Sequence, residues 1–290
     1  MTELKNDREF GFLLDKIRRN RNIDLSEYRR PVLERRIQHR LHQARCANYW
    51  DYIMLLNRDP GEYDRLIETL TIKVSGFFRD ARVFESVGNM VVPEIISQKQ
   101  AGIVKKIRAW SCGSAFGQEA YSMAIIFCEA LGRGLNEFDI QITATDIDKN
   151  TLEEAQWGSY DGRALSKMNP LLVFKYFTRV GDRYVINDRV RALVKFRYHD
   201  IVGGNTISGM DLVLCRNLLI YFQKELQDKI LRKLHTALNP GGFLVVGNTE
   251  SIPPQTRDFF DVVSLRERIY RKNSQRIVDR EVQHETDSRK

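Results

Sequence analysis

Two rhythms of apolar and polar positions divide the chain. Over residues 8–70 apolar side chains return every third or fourth position, in "DREFGFLLDKIRRNRNIDL", "SEYRRPVLERRIQHRLHQA" and "NYWDYIMLLNRDPGEYDRLIETLT". That spacing predicts helices. Leu33, Ile37 and Leu41 form a stripe at every fourth residue, and Asn22, Pro31, Asn57 and Pro60–Gly61 punctuate the run. From about residue 100, short apolar runs alternate with amphipathic ones. "VKKIRAWSC" (104–112), "FDIQITATDID" (138–148), "LVKFRYHDI" (193–201), "MDLVLCRNL" (210–218) and "GGFLVVGNT" (241–249) read as strands. "GQEAYSMAIIFCEAL", "NTLEEAQW" and "QKELQDKILRKLHTAL" read as the helices between them. Alternation of this kind predicts an α/β fold with a mainly parallel sheet covered on both faces, and ligands beyond the carboxyl ends of its strands.

Between Gly158 and Val194 the alternation lapses, and "YFTRV" and "RYVIN" flank Gly181–Asp182 as a small hairpin would. The domains expected are a helical domain over 1–75, a linker helix over 76–98, and an α/β domain over 99–272 with a β-subdomain inserted at 159–193. Residues 273–290 hold almost no apolar side chains and read as a disordered tail.

Composition narrows the class. With 42% apolar and 29% charged residues the chain belongs among ordinary globular proteins, not fibrous or disordered ones. Its first residues, "MTELKNDREF", show no basic-then-apolar signal, and no apolar run reaches the ~18–20 residues of a membrane span, so a cytoplasmic protein is expected. Cys46, Cys112, Cys128 and Cys215 are scattered without a C-x-x-C pair and read as small buried hydrophobes, which indicates neither zinc nor disulfides. The net charge is +8, and +5 of it falls in residues 29–45, where six arginines face one glutamate, Glu34. Arg29, Arg30, Arg35, Arg36 and Arg40 stand around the Leu33 stripe, either as a solvated face or as a docking surface for an acidic partner.

The chemistry gathers at the predicted strand ends. "WSCGSAFGQEA" places Gly113 and Gly117 between a strand and a helix, where small residues let a ligand approach backbone N–H groups. The spacing matches neither a dinucleotide fingerprint nor a phosphate-binding P-loop. Asp146 ends the second strand, where an acid accepts both hydroxyl hydrogens of a ribose; Asp148, before Asn150–Thr151, suits a helix cap. Arg216 and Asn217 follow the buried run "DLVLC" at once. A guanidinium there requires either an internal ion pair or a ligand. His39, His42, His199, His235 and His284 lie outside these motifs, and only His199, beside Asp200, adjoins one.

Taken in order and spacing, "VSGFFRD" (74–80), "WSCGSAFGQEAYS" (110–122), "ATDID" (144–148), "CRNLLIYF" (215–222) and "LNPGGFLVVGNTES" (238–251) resemble the CheR family of chemotaxis receptor methyltransferases. The likeness runs from about residue 10 to 272. It implies a Rossmann-like S-adenosylmethionine-dependent methyltransferase domain with a small inserted antiparallel β-subdomain, preceded by an all-helical domain. The activity implied is protein-glutamate O-methylation without a metal. By matching motif positions, the resemblance places Ser75, Arg79, Gly113, Glu119, Asp146, Asp200, Ile201, Arg216 and Asn217 at the cofactor, with Arg79 and Tyr221 nearest the reacting groups. It makes the partner the cytoplasmic helical bundle of methyl-accepting receptors, met by the basic helix, and the enzyme a monomer recruited to receptor arrays at the inner membrane face. Gln118 and Ala120 replace an acid and a proline of the usual loop, and Lys73 stands where an asparagine often meets the cofactor. The turn "RVGDRYV" is shorter and less glycine-rich than in members that grip a receptor tether, which speaks against tether binding. A nucleic-acid methyltransferase is the rival enzyme, since a basic patch suits phosphates equally, but the Asn/Asp-Pro-Pro-Tyr/Phe motif of base-amine methylation is replaced by "CRNLLIYF". A non-catalytic cofactor-sensing module is the rival from another class.

Overall fold

The computed structural model describes residues 2–71, 75–100, 102 and 104–273. Its first part is four helices: α1 (Thr2–Arg21), α2 (Arg30–Gln43), α3 (Tyr49–Arg58) and α4 (Glu62–Leu70). Pro31 begins α2 instead of breaking a helix, because a first-turn proline forfeits no intrahelical bond. Asn48 caps α3 by accepting from the Asp51 N–H. Asn57 lies inside α3, and the chain turns only at Asp59. The stripe Leu33, Ile37 and Leu41 is buried against Leu13, Ile17, Tyr52 and Leu66. Each such side chain contributes about 1.5–3 kcal/mol on leaving water.

A linker follows in which α5 (Ala81–Ser86) passes through a single π turn at Val87–Val91 into α6 (Val92–Gln100). Then come β1 (Lys106–Cys112), α7 (Gln118–Leu131), β2 (Asp139–Asp146) and α8 (Lys149–Trp157). The insertion holds β3 (Ser159–Asp161), α9 (Gly162–Leu165), α10 (Pro170–Tyr176), β4 (Phe177–Val180), β5 (Arg183–Ile186) and α11 (Asp188–Arg191). The chain closes with β6 (Val194–Tyr198), β7 (Met210–Cys215), α12 (Lys224–Ala237), β8 (Leu238–Val246), β9 (Phe260–Ser264) and β10 (Ile269–Lys272).

Seven strands form one sheet in the order β6-β2-β1-β7-β8-β10-β9, and β3-β5-β4 form a second sheet of three. Strands β6, β2, β1, β7 and β8 run parallel, and β10 and β9 extend the edge antiparallel. The fold is therefore a mixed sheet with a small antiparallel sheet inserted and an all-helical part in front. Every residue of β7 is buried, as befits a strand covered on both faces. The strand order reverses between β1 and its neighbours β2 and β7, so a crevice opens past Cys112, Asp146 and Cys215. The helical part meets that crevice directly. Tyr28 forms a bridge with Phe222, the Arg29 N–H donates to the Tyr221 carbonyl at 2.9 Å, and the Gln223 N–H donates to the Glu27 carbonyl at 3.0 Å.

Candidate active site

Each strand end delivers one piece of the site. β1 leads to Gly113, β2 ends on Asp146, β6 leads to Asp200 and Ile201, and β7 leads to Arg216 and Asn217. Two adjoining cavities result, of about 100 and 190 Å³. Gly113, Ala115, Asn217 and Tyr221 line both. Asp146, Asp200 and Ile201 line the first; Ser75, Arg79, Glu119 and Arg216 line the second. The structure thus brings together all the cofactor and catalytic candidates named from the sequence. Lys73 and Val74 lie outside the described residues.

Backbone strain concentrates at the same place. Phe78, Asp80, Ala115 and Asn217 all take positive φ, a region that side chains rarely adopt and that clusters at functional sites. Gly113, at φ +67°, is exposed, and a Cβ there would press on the Leu218 side chain at 3.3 Å. Gly117 has a different task from the one its loop suggests. A Cβ would stand 2.8 Å from Phe196 and 3.1 Å from Ala155, so this glycine lets α7 close on β6 and α8 and does not face a ligand.

The carboxylates are held by defined donors. Asp146 Oδ2 accepts from the Ala115 N–H at 3.0 Å and Oδ1 from the Asp148 N–H at 3.0 Å. Each oxygen keeps a lone pair for a hydroxyl hydrogen. Burial lifts the Asp146 carboxyl above its usual range, against the pull of those N–H groups. Asp148 does cap α8, accepting from the Thr151 N–H at 3.1 Å. Asp200 Oδ1 accepts from the Val202 N–H at 2.9 Å and so folds the turn after β6. Glu119 accepts from the Ser111 hydroxyl at 2.8 Å and from Arg216 at 3.3 Å; burial raises its carboxyl, and Arg216 and Ser111 oppose the rise.

The question posed by Arg216 is answered by its surroundings. Its guanidinium is almost wholly buried, donating to Asp80 at 2.5 Å, to the Arg79 carbonyl at 3.0 Å and to Glu119, and it packs over the Phe84 ring. This is an internal ion network forming the floor of the second cavity. Of the two readings left open by the sequence, the ion pair is present, and the guanidinium also lines the second cavity. Its contacts with Glu119 and the Arg79 carbonyl join two other parts of that cavity.

In the arginine-rich segment 29–45 several side chains find partners within the protein. Arg40 forks onto Glu62 at 2.6 and 2.7 Å, Arg30 pairs with Asp7 and Glu34, and Arg36 donates to the Thr69 carbonyl at 2.9 Å while lining the first cavity. A charge count along 29–45 overlooks Asp7 and Glu62, which arrive from other helices. Arg29, Arg30, Arg35 and Arg45 are exposed on this segment.

Sequence reasoning missed one whole wall. Ile23, Leu25, Tyr28, Val32, Leu70 and Thr71, all from the helical part, line the first cavity opposite Asp146 and Ile147. Burial, reinforced by Asp200 and Asp146, holds the Tyr28 phenol protonated far above the ordinary tyrosine range. The apolar spacing of these residues was visible, but it signals a core equally well.

With the geometry in place, the relatives can be weighed. Residues 8–71 match the all-alpha domain of CheR methyltransferases, and residues 73–269 match their SAM binding domain. The chain belongs to the CheR methyltransferase family. It is 30% identical to chemotaxis protein methyltransferase 2 of Pseudomonas aeruginosa, covering 84% of this chain and 86% of that one. It is 29% identical to the chemotaxis protein methyltransferase of Listeria innocua, over 85% of this chain and 91% of that one. It is also 32% identical to part of an uncharacterized 104.1 kDa protein of Rhodobacter capsulatus, where 86% of this chain spans 26% of that protein.

The residues present suit the SAM binding that this domain is described by. Carboxylate acceptors stand at Asp146 and Glu119, cationic donors at Arg79 and Arg216, and the larger apolar wall of the first cavity can cover a base. Between them the backbone at Gly113 is open. Acceptors for hydroxyl and ammonium hydrogens, a cation for a carboxylate and a flat apolar slot are the features such a molecule needs.

Proposed function

We propose that this protein transfers the methyl group of S-adenosylmethionine to glutamate side-chain carboxylates of chemotaxis receptors, giving methyl esters and S-adenosylhomocysteine. One observation carries the reading: the second cavity pairs Arg79 and Tyr221 with Glu119 and has no histidine or cysteine among its lining residues. A glutamate acceptor, with an ordinary pKa of about 4.3, is already an anion at neutral pH and needs no base to make it a nucleophile. S-adenosylmethionine, when bound, supplies an electrophilic methyl on its sulfonium.

The protein's task is then to position. Asp146 would accept the ribose hydroxyl hydrogens, Glu119 would meet the amino-acid end, and Arg79 would pair with the carboxylate of that end. Too firm a grip on the attacking oxygen would lower its nucleophilicity, which is why Arg79 is assigned to the cofactor and not to the substrate. Tyr221 would wall the transferred methyl and donate from its hydroxyl. Burial raises the Tyr221 phenol while Arg36 and Arg79 oppose the rise, so it stays a donor at neutral pH. Alignment of oxygen, methyl and sulfur in a dry pocket can supply ~7–11 kcal/mol of the barrier. Arg29, Arg30 and Arg35, exposed at the start of α2 and along it, would meet an acidic receptor helix, and their exposure supports that reading. No helix among the described residues is long and apolar enough to cross a membrane.

The test is transfer of radiolabelled methyl to a receptor cytoplasmic fragment, followed by mild alkali. Label released as methanol marks a carboxyl methyl ester. Alkali-stable label, or label only on added RNA or DNA, overturns the substrate, and cofactor binding without any transfer overturns catalysis.

A further inference from the structure

The motif "GNTES" that closes β8 has no part in the reading above, yet it sends a buried acid to the site's shared wall. We propose that Glu250 is a positioning residue for the methyl transfer: its carboxylate fixes the turn Asn217–Tyr221, and with it Asn217 and Tyr221, which line both cavities. The inference rests on the methyl-transfer reading.

Glu250 is only 4% exposed. Its Oε2 accepts from the Gly247 N–H at 2.6 Å and the Asn217 N–H at 2.9 Å, and its Oε1 accepts from the Ile220 N–H at 3.3 Å. One carboxylate therefore ties the end of β8 to both ends of the turn. Asn217 has φ +57°, a left-handed conformation that asparagine tolerates better than other side chains, and the Glu250 bond to its N–H holds the turn in that form. Gly247 makes the approach possible, since a Cβ there would stand 2.6 Å from Glu250 Oε2 and 2.9 Å from the Asn217 nitrogen. Burial raises the carboxyl, and backbone N–H donors of Gly247, Asn217, Ile220 and Leu219 draw it back down.

The far side of the turn has its own anchor. The Arg29 N–H holds the Tyr221 carbonyl, and Tyr28 bridges to Phe222. Without Glu250 the segment would stay attached there but lose its register at Asn217 and Ile220. A loosened turn moves the Tyr221 ring relative to Arg79, and misplacement of about 1 Å can cost ~10²-fold in rate.

The experiment compares the full-length chain with Glu250→Gln, which keeps the shape but turns an amide NH2 toward N–H donors, and with Glu250→Asp. Amide hydrogen exchange is followed over residues 216–222 and over β8, alongside S-adenosylhomocysteine binding by calorimetry and steady-state kinetics. In Glu250→Gln, exchange over 216–222 rises about tenfold or more while β1 and α2 are unchanged, as expected for one lost hydrogen bond. Turnover falls ~10²-fold with the receptor KM within about threefold, and Glu250→Asp recovers part of it. Unchanged exchange over 216–222 overturns the inference. So does a uniform rise across the chain with a lower melting temperature and no separation of kcat from KM. If the wild-type chain methylates no receptor glutamate, the proposed function fails, and the exchange comparison still decides whether Glu250 holds the turn.

Discussion

Arg216 Nη2 lies 2.5 Å from Asp80 Oδ2, so the end of β7 is locked to the strained segment Phe78–Asp80 ahead of α5. Asp80 sits at the surface end of the network and Glu119 at the cavity end. Removing the cation leaves Glu119 as an uncompensated buried charge, a change that typically costs about 3–5 kcal/mol. Arg216→Ala should therefore lower the melting temperature and weaken S-adenosylhomocysteine binding together, because the Arg79 backbone and Glu119 both lose their partner. Intact stability with weakened binding would mean that the guanidinium serves the ligand alone.

A second buried fork sets an acid limit. Burial pushes the Glu62 carboxyl up, but hydrogen bonds from Arg40, Tyr52 and Arg65 outweigh it and bring the folded value to about 2, from an ordinary 4.5. A depressed folded value means stability that is present above the unfolded pKa and lost as pH falls toward the folded one. The loss should fall between pH ~4.5 and ~2 and amount to roughly 3 kcal/mol. Chemical denaturation at pH 5 and pH 3 captures about 2 kcal/mol of it, with Glu62→Gln as the variant whose stability changes less over that interval. A wild-type and variant difference that does not vary with pH would disprove the assignment.

These two pairs mark the boundary of what the linear chain reveals. Periodicity alone located β1, β2, β6, β7 and β8, since a buried strand and an amphipathic helix leave distinct spacings. β9 and β10 escaped because they are four or five residues long and mix charges with apolar side chains; of the two only β9 is an edge strand. Arg40 reads as part of an exposed patch because Glu62 lies 22 residues away, and the partner of the exposed Arg30, Asp7, lies 23 away. Likewise the Tyr28 wall depends on a bridge to Phe222 that no local pattern encodes. The site residues were found by motif, and their mutual geometry required the fold.

Tyr221 separates positioning from binding. It lines both cavities, and its phenol lies within the fields of Arg36 and Arg79. Tyr221→Phe keeps the ring and removes the donor, so turnover should fall about tenfold, the worth of one hydrogen bond, while S-adenosylhomocysteine affinity stays within about threefold. An unchanged kcat would reduce Tyr221 to a wall.

Arg35 offers the cleaner test of receptor docking. Reversal at Arg40 would break the Glu62 fork and confound stability with recognition, whereas Arg35 is exposed on the same helix. Arg35→Glu should raise the receptor KM by about three- to tenfold, more at low salt, and leave cofactor affinity and melting temperature alone. Receptor kinetics that do not respond would remove the basic helix from the docking surface.

Gly117 distinguishes packing from ligand contact in the loop after β1. Its φ of +82° is unfavourable for any side chain, and a methyl group would meet Phe196 at 2.8 Å and Ala155 at 3.1 Å. Left-handed strain of about 1–2 kcal/mol adds to overpacking of about 1–3 kcal/mol. Gly117→Ala should thus lower the melting temperature markedly, yet the folded fraction should bind S-adenosylhomocysteine with near wild-type affinity, because the added Cβ points at β6 and α8. If affinity falls while the melting temperature holds, the ligand reaches this glycine after all, and the crevice extends further along α7 than its lining residues indicate.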